Sequence, residues 1–304
     1  MNRNILTTAL LIAATVTGAS PAHAEILYVS RLDNRIMAID TATHAQTIIA
    51  STGLHSSPQD LAFDGAGNLF VANTENNTIE KFTPGGIGSL FASSGLSSPQ
   101  GLAIDALNNV YVANYSGNTV TRITPGGVQS IFASTGLSHP NGLAFDGSGN
   151  LYVSNDGNNT IERYTPGGVG SVFANTGLNN PFGLTFDTSG NLFVANFGGG
   201  TIERFTPGGV GSVFATVVGG TAAIDVAFDG LGNLYVTNDY NLTIERFTPG
   251  GVGSVFATGV SPGWLAFKPA TATAVPEPSS LMLLSLGGIG LAFGEYRRHR
   301  ATAV

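Results

Sequence analysis

The 304-residue chain has no cysteine. That removes disulfides, thiolate-ligated zinc and thiol nucleophiles together. Charge is also scarce: Asp, Glu, Lys and Arg make up 10% of the residues, against 42% apolar content. A disordered chain needs the opposite balance. The 12 basic residues are outnumbered by 19 acidic ones, for a net charge of −7. No basic face of the kind that neutralises phosphates is available, so nucleic acid is not an expected partner. Tryptophan occurs once, at Trp264. Helical periodicity is missing from the central region; the one G-x-S-x-G match, Gly259 to Gly263, precedes an A-like strand and not the helix a nucleophile elbow needs, and no H-E-x-x-H helix or phosphate loop occurs.

What the chain does have is glycine, 42 residues of it, punctuating a repeat. The pattern L-A-F-D-x-x-G-N-L-F-V-A-N, then T-I-E-R-F-T-P-G-G-V-G-S-V-F-A, returns five times. Its Asp falls at Asp64, Asp105, Asp146, Asp187 and Asp229, at spacings of 41, 41, 41 and 42. Such a period signals a stacked or circular repeat architecture. Four short runs per unit read as strands, here called A to D. In the first unit they are Leu61–Asp64, Leu69–Asn73, Thr78–Thr83 and Ile87–Ala92. The fourth position of the A–B turn is Gly67, Asn108, Gly149, Gly190 and Gly232, the residue types that best tolerate positive φ. The C–D connection is always Thr-Pro-Gly-Gly, the signature of a type II turn.

Tandem four-stranded meanders, apolar on both faces, predict an all-β propeller rather than a β-solenoid, whose coils are shorter. Five complete units begin at Leu61, Leu102, Leu143, Leu184 and Val226. Three strands precede them (26–30, 35–40 and 46–50), and one A-like strand, 264–267, follows. Together these supply a sixth blade, which closes the ring from the two ends of the chain and removes its open edges. The pattern P-x-G-L-A-F-D-x-x-G-N-L-Y-V-A-N-x-x-x-N-T-I resembles NHL-type propeller repeats across residues 25–269. Two departures are visible. Asn73, Asn114, Asn155, Asn196 and Asn238 stand where that family commonly has Asp. The basic residue before the C strand survives only as Arg35.

Both ends point out of the cytoplasm. Arg3, an apolar run from Ile5 to Val16 and the small-x-small site Ala22-His23-Ala24 form a secretory signal over residues 1–24; a short anchor is the alternative. Residues 270–279 form a linker holding Pro276, Glu277 and Pro278. Residues 280–304 contain an apolar run, Leu281 to Phe293, and a basic cluster with Arg297, Arg298 and Arg300. These three parts in order resemble the PEP-CTERM sorting signal of Gram-negative bacteria. The resemblance implies transient insertion in the inner membrane and processing by an exosortase, in organisms that often make extracellular polysaccharide. An ordinary unprocessed anchor is the alternative. The location implied is the periplasm, outer surface or extracellular matrix.

A residue present in every blade is most simply part of the blade, so function is expected where blades differ. The D–A and B–C loops share one rim, which varies; the A–B and C–D turns share the other, which does not. Glu162-Arg163, Glu203-Arg204 and Glu245-Arg246 point to opposite faces of their strands and read as structural parts of the blade, either ladders in which Glu of one blade meets Arg of the next or turn caps. At the residue entering strand A, Gly101, Gly142 and Gly183 give way to Asp60, Asp225 and Trp264 in three neighbouring blades. With Arg31, Asp33, Asp239 and Tyr240 nearby, this sector is the candidate ligand site. Carboxylates beside an aromatic face suit a sugar ring, a cation or a basic peptide. Asp60 and Asp225 are also candidate ligands for Ca²⁺; no other cofactor is expected. The structural reading of the same residues is Asp at a vacated turn position and Trp plugging the seam. The leading expectation is a non-catalytic binding or scaffold module for an extracellular polysaccharide or surface protein. One alternative is a metal-dependent lyase or lactonase, like streptogramin lyases and gluconolactonases, with His55 or His139 as base. Another is a structural matrix protein.

Overall fold

The computed structural model describes residues 25–268 apart from Leu32, residues 51–56 and Thr221. The signal segment, the sorting tail with Pro276, Glu277, Pro278, Arg297, Arg298 and Arg300, and His55 lie outside the described residues. The chain forms six four-stranded antiparallel sheets arranged as a ring. Blade 1 pairs Pro262–Phe267 with Ile26–Arg31, Arg35–Asp40 and Gln46–Ala50, so both ends of the described chain meet in one sheet. Leu27 pairs with Phe267 and Val29 with Leu265 across that closure. Blade 2 runs Pro58–Phe63, Leu69–Asn73, Thr78–Phe82 and Gly88–Ala92, and blades 3 to 6 repeat the order. The A strands contact one another around the axis.

Strand A starts earlier than its apolar run suggests. Pro58 already pairs with Asn73, and a bulge separates that pair from Leu61–Val71. The same irregularity recurs at Pro99/Leu102, Pro140/Leu143 and Pro181/Leu184. It re-aims the two residues between, including the position of Asp60 and the glycines.

The A–B turn is as expected, with Gly67 at φ 79°, Asn108 at 60° and Gly149, Gly190 and Gly232 at 79 to 80°. The C–D turn is not type II. The N–H of Gly86 reaches Thr83 O at 2.8 Å, yet the positive φ of 79° sits on Gly86, not on the central Gly85. A second bond, Thr83 N–H to Ile87 O at 3.0 Å, makes this a three-residue hairpin loop with a left-handed glycine bulge. Two consecutive glycines in the sequence cannot show which of them turns.

Apolar side chains pack between blades rather than within them. One cluster joins Tyr111, Ala113 and Val120 of blade 3 to Leu143, Leu151 and Tyr164 of blade 4. The closure seam is built alike, from Tyr235, Ile244 and Phe256 against Leu27, Val29 and Met37. Aromatics interlock edge to face. Tyr111 sits between Phe132 of its own blade and Phe145 of the next, each 5.0 Å away. Tyr152 repeats this with Phe173 and Phe186, both at 4.9 Å.

Candidate functional site

The A strands approach the axis backbone to backbone, and this sets which residues fit there. A Cβ on Gly101 would lie 2.1 Å from Asn141 O, and one on Gly142 2.5 Å from Phe182 O. In those blades only glycine fits. Where a side chain does occur, it is used to bridge blades. Asp60, 6% exposed, accepts the N–H of Leu61 at 2.7 Å with Oδ1 and that of Leu102 in blade 3 at 2.7 Å with Oδ2. Asp225, 4% exposed, accepts the N–H of Leu265 in blade 1 at 2.7 Å, and a bond from the Val226 N–H as well. Trp264, 2% exposed, donates its Nε1–H to Gln59 Oε1 in blade 2 at 3.0 Å.

Hydroxyls on the neighbouring B strand complete the layer. Ser30 accepts the N–H of Trp264 at 2.8 Å, Ser154 that of Gly142 at 2.7 Å, and Thr237 that of Asp225 at 3.0 Å. Ser154 also donates to Phe182 O in the next blade at 2.6 Å. Asn141, 2% exposed, keeps its Oδ1 without a partner among the described residues.

Both channel carboxyls are harder to ionise than usual. Burial raises Asp225 to about 7, against the bonds from Leu265 and Val226 that favour its anion. Burial raises Asp60 well above the usual carboxylate range, and repulsion from Asp225 raises it further. Asp60 and Asp225 belong to blades 2 and 6, on either side of Trp264 in blade 1. The structure places Asp60, Asp225 and Trp264 within the closely packed axis, each hydrogen-bonded to a neighbouring blade. Among the described residues no group of three or more His, Asp or Glu side chains converges.

The open part of the variable rim is a loop network. Arg31 and Asp33 form a two-pronged pair, Nε to Oδ1 at 3.1 Å and Nη2 to Oδ2 at 2.9 Å. Arg35 lies 3.9 Å from the same carboxylate. Tyr240 is 77% exposed, next to Asp239. His139 stacks on Tyr115 at 4.7 Å with an interplanar angle of 13°, and Phe182 stacks on Phe197 at 4.9 Å with the same angle. The Tyr115 hydroxyl donates to Asp156 at 3.0 Å, and Asn180 Nδ2 donates to the other oxygen at 2.5 Å. His139 occupies a slot that recurs around the ring as Ser57, Ser98, Asn180, Ala222 and Ser261, all at positive φ.

Two asparagine series hold these loops. Asn114, Asn155 and Asn196, the positions where related repeats carry Asp, accept the N–H of Ser97, Ser138 and Asn179 at 3.0 to 3.1 Å. The second series was not singled out from the sequence. Asn34, Asn77, Asn118 and Asn159 accept the N–H of Ser57, Ser98, His139 and Asn180 in the next blade at 2.6 to 2.8 Å. The signal was the Asn before the first Thr of the C strand in N-T-I.

Of the two structural roles expected for the Glu-Arg pairs, the glutamates take that of loop caps and not of ladder partners. Glu162 and Glu203 are buried, with their carboxyls against Gly136 and Gly177 of the D–A loops, and burial raises both above their ordinary value. Glu245 accepts the N–H of Val218 there at 3.0 Å. The arginines point to the opposite face, where Arg163 stands across the strands from Tyr152 and Arg246 from Tyr235. Between blades on the turn rim this leaves grooves lined by Asp, Arg and aromatic residues. One of about 420 Å³ holds Asp105, Arg122, Tyr111 and Asp146, and one of about 450 Å³ holds Asp187, Arg204, Phe193 and Asp229. The rim whose turns do not vary therefore has concave surface.

Residues 274–298 match the PEP-CTERM protein-sorting motif. The chain thus carries the signal of a secreted, envelope-sorted Gram-negative protein, handled by exosortase-type machinery. No curated protein matches the chain in sequence. Solved structures share its fold. A nidogen/laminin complex aligns over 81% of this chain and 98% of that one, at 20% identity and a TM-score of 0.72. Virginiamycin B lyase from Staphylococcus aureus aligns over 79% and 86%, at 19% identity and 0.65. A gluconolactonase from Xanthomonas campestris aligns over 70% and 79%, at 20% identity and 0.60. At these identities the likeness concerns the fold, which binding propellers and enzymes share.

Proposed function

We propose that this protein is a non-catalytic binding or scaffold propeller that holds an extracellular glycan or protein on its variable rim. The observation that carries this reading is the division of labour among the candidate residues. Asp60, Asp225 and Trp264 are occupied in joining blades, whereas aromatic surface is presented by the loops: Tyr240, the Tyr115–His139 stack and the Phe182–Phe197 stack. These aromatic faces, with Asp156 bonded to Tyr115 and Asn180 beside one stack, offer apolar area to a sugar ring and acceptors to its hydroxyls. The main chain of His139 is held by Asn118 and its ring lies flat on Tyr115. That geometry suits a stacking platform better than a base.

Calorimetric titration of the full chain with acidic and neutral bacterial polysaccharides tests the reading. Saturable heat that is lost in Tyr240→Ala or Phe197→Ala, at an unchanged unfolding midpoint, supports it. Metal-dependent turnover of a lactone, abolished by His139→Ala, would instead favour the lyase or lactonase alternative.

A further inference from the structure

Apolar side chains are exposed on the turn rim in a pattern that the fold does not require. The residue after each C–D turn is Ile87, Val128, Val169, Val210 or Val252, and these are 69 to 72% exposed. Leu107 and Leu231, in two A–B turns of the same rim, are 76% and 78% exposed. Scattered exposed aliphatics are ordinary. A branched aliphatic at the same solvent-facing position of five successive blades is a ring. Lys81, Arg122, Arg163, Arg204 and Arg246 stand one residue before the last of each C strand, at the end nearest this rim, where the aspartates of the A–B turns balance their charge and leave the aliphatic ring as its distinguishing feature.

The chain also leaves the propeller here. Lys268 follows the closing strand, and its side chain lies over the A–B turn of blade 2, with Cε 3.2 Å from the place a Cβ on Gly67 would take. Twelve residues, 269–280, then separate it from the apolar run that begins at Leu281. Twelve residues reach at most about 40 Å when fully extended. If that run enters a bilayer, the tether leaves from the turn rim and keeps the propeller within that reach of the lipid surface.

We infer that the turn rim of the propeller docks on the bilayer surface, its aliphatic ring among the head groups. Shallow insertion of aliphatic residues is how proteins lie on, rather than span, a membrane. The variable rim then faces away from the lipid, open to the partner proposed above. The inference rests on reading the tail as membrane-inserting, and the test separates the two.

Because the chain has no cysteine, a single introduced one is a unique reporter. Full-length Val128→Cys, Val210→Cys and, on the opposite rim, Tyr240→Cys would each carry an environment-sensitive fluorophore. Each is reconstituted into phosphatidylcholine/phosphatidylglycerol vesicles containing brominated lipid. All three positions are exposed, so folding is little affected. The expected result is flotation of all three with the vesicles, and quenching at 128 and 210 at least about threefold stronger than at 240. Val169→Asp introduced alongside either turn-rim reporter should weaken that quenching. Flotation with equal quenching at both rims overturns the inference and leaves the tail reading intact. Failure to float overturns the tail reading and the inference with it. Fluorophores that quench one another across a dimer, without lipid quenching, would assign the ring to a second copy of the chain and overturn the inference.

Discussion

Asp225 of blade 6 accepts the backbone N–H of Leu265 at 2.7 Å, and by that bond it grips the strand that closes the ring. The carboxyl is 4% exposed and its pKa is raised to about 7 by burial. A folded-state pKa above the unfolded value means that the folded protein binds the extra proton. The contribution to stability is therefore complete below about pH 4 and is lost as pH rises toward 7. Asp60 is shifted in the same direction. The unfolding midpoint is expected to fall between pH 4 and 7, and Asp225→Asn should flatten that slope. Thermal unfolding across this range checks it; an unchanged slope in the variant would place the titration elsewhere.

Gly183 packs against the same residue from blade 5. A Cβ there would sit 1.8 Å from Asp225 Oδ1 and 2.7 Å from its Cα. Backbone lies behind the contact, so no side-chain rotation relieves it. Gly183→Ala is expected to cost about 3 kcal/mol or more, at the upper end of overpacking effects. Gly147→Ala, where nothing lies within 4 Å, should be nearly neutral. Denaturant midpoints of the two variants give the comparison directly.

The blade count, the ring closure and the B strands were legible in the sequence because each rests on a pattern repeated five times. Gly67 and Asn108 announced a left-handed turn residue by sharing a position. Gly85 and Gly86 did not, since both are invariant and only the hydrogen bonds separate them. The same limit applied at the axis. That Asp60, Trp264 and Asp225 belong to neighbouring blades followed from topology. That they are sealed within the axis follows from a bulge in strand A and from how closely the A strands approach, and single-chain patterning carries no measure of either. Strand alternation likewise sent Glu162 and Arg163 to opposite faces in the sequence reading, but alternation alone does not say what each face meets: a D–A loop for Glu162 and Tyr152 of its own blade for Arg163.

The single tryptophan gives the closure its own probe. Trp264 lies in the C-terminal strand of blade 1 and bonds Gln59 of blade 2 at 3.0 Å. Its emission should be blue-shifted in the folded protein, as suits a buried indole. Its denaturant transition should coincide with that of far-ultraviolet circular dichroism if closure and blades unfold together. A fluorescence transition preceding the dichroism would mean that the seam opens first. Trp264→Phe removes the bond to Gln59 and is expected to cost about 1 to 2 kcal/mol.

One blade breaks the rule of the others. Gly88, Gly170, Gly211 and Gly253 begin their D strands directly over an aromatic ring, and a Cβ on them would lie 2.6 to 2.7 Å from Phe82, Tyr164, Phe205 and Phe247. Blade 3 has Gln129 at this position, and there the ring is replaced by Ile123. The exchange of side chain for ring within one blade makes steric compensation the simplest account. Gly211→Gln should therefore destabilise by about 2 to 3 kcal/mol, and Phe205→Ile should lower stability by about 1 kcal/mol through lost packing. The double variant, which reproduces blade 3, is expected to be more stable than Gly211→Gln alone. A double-mutant cycle on unfolding free energies measures the coupling. Simple additivity of the two losses would mean that Gln129 is tolerated for a reason other than the missing ring.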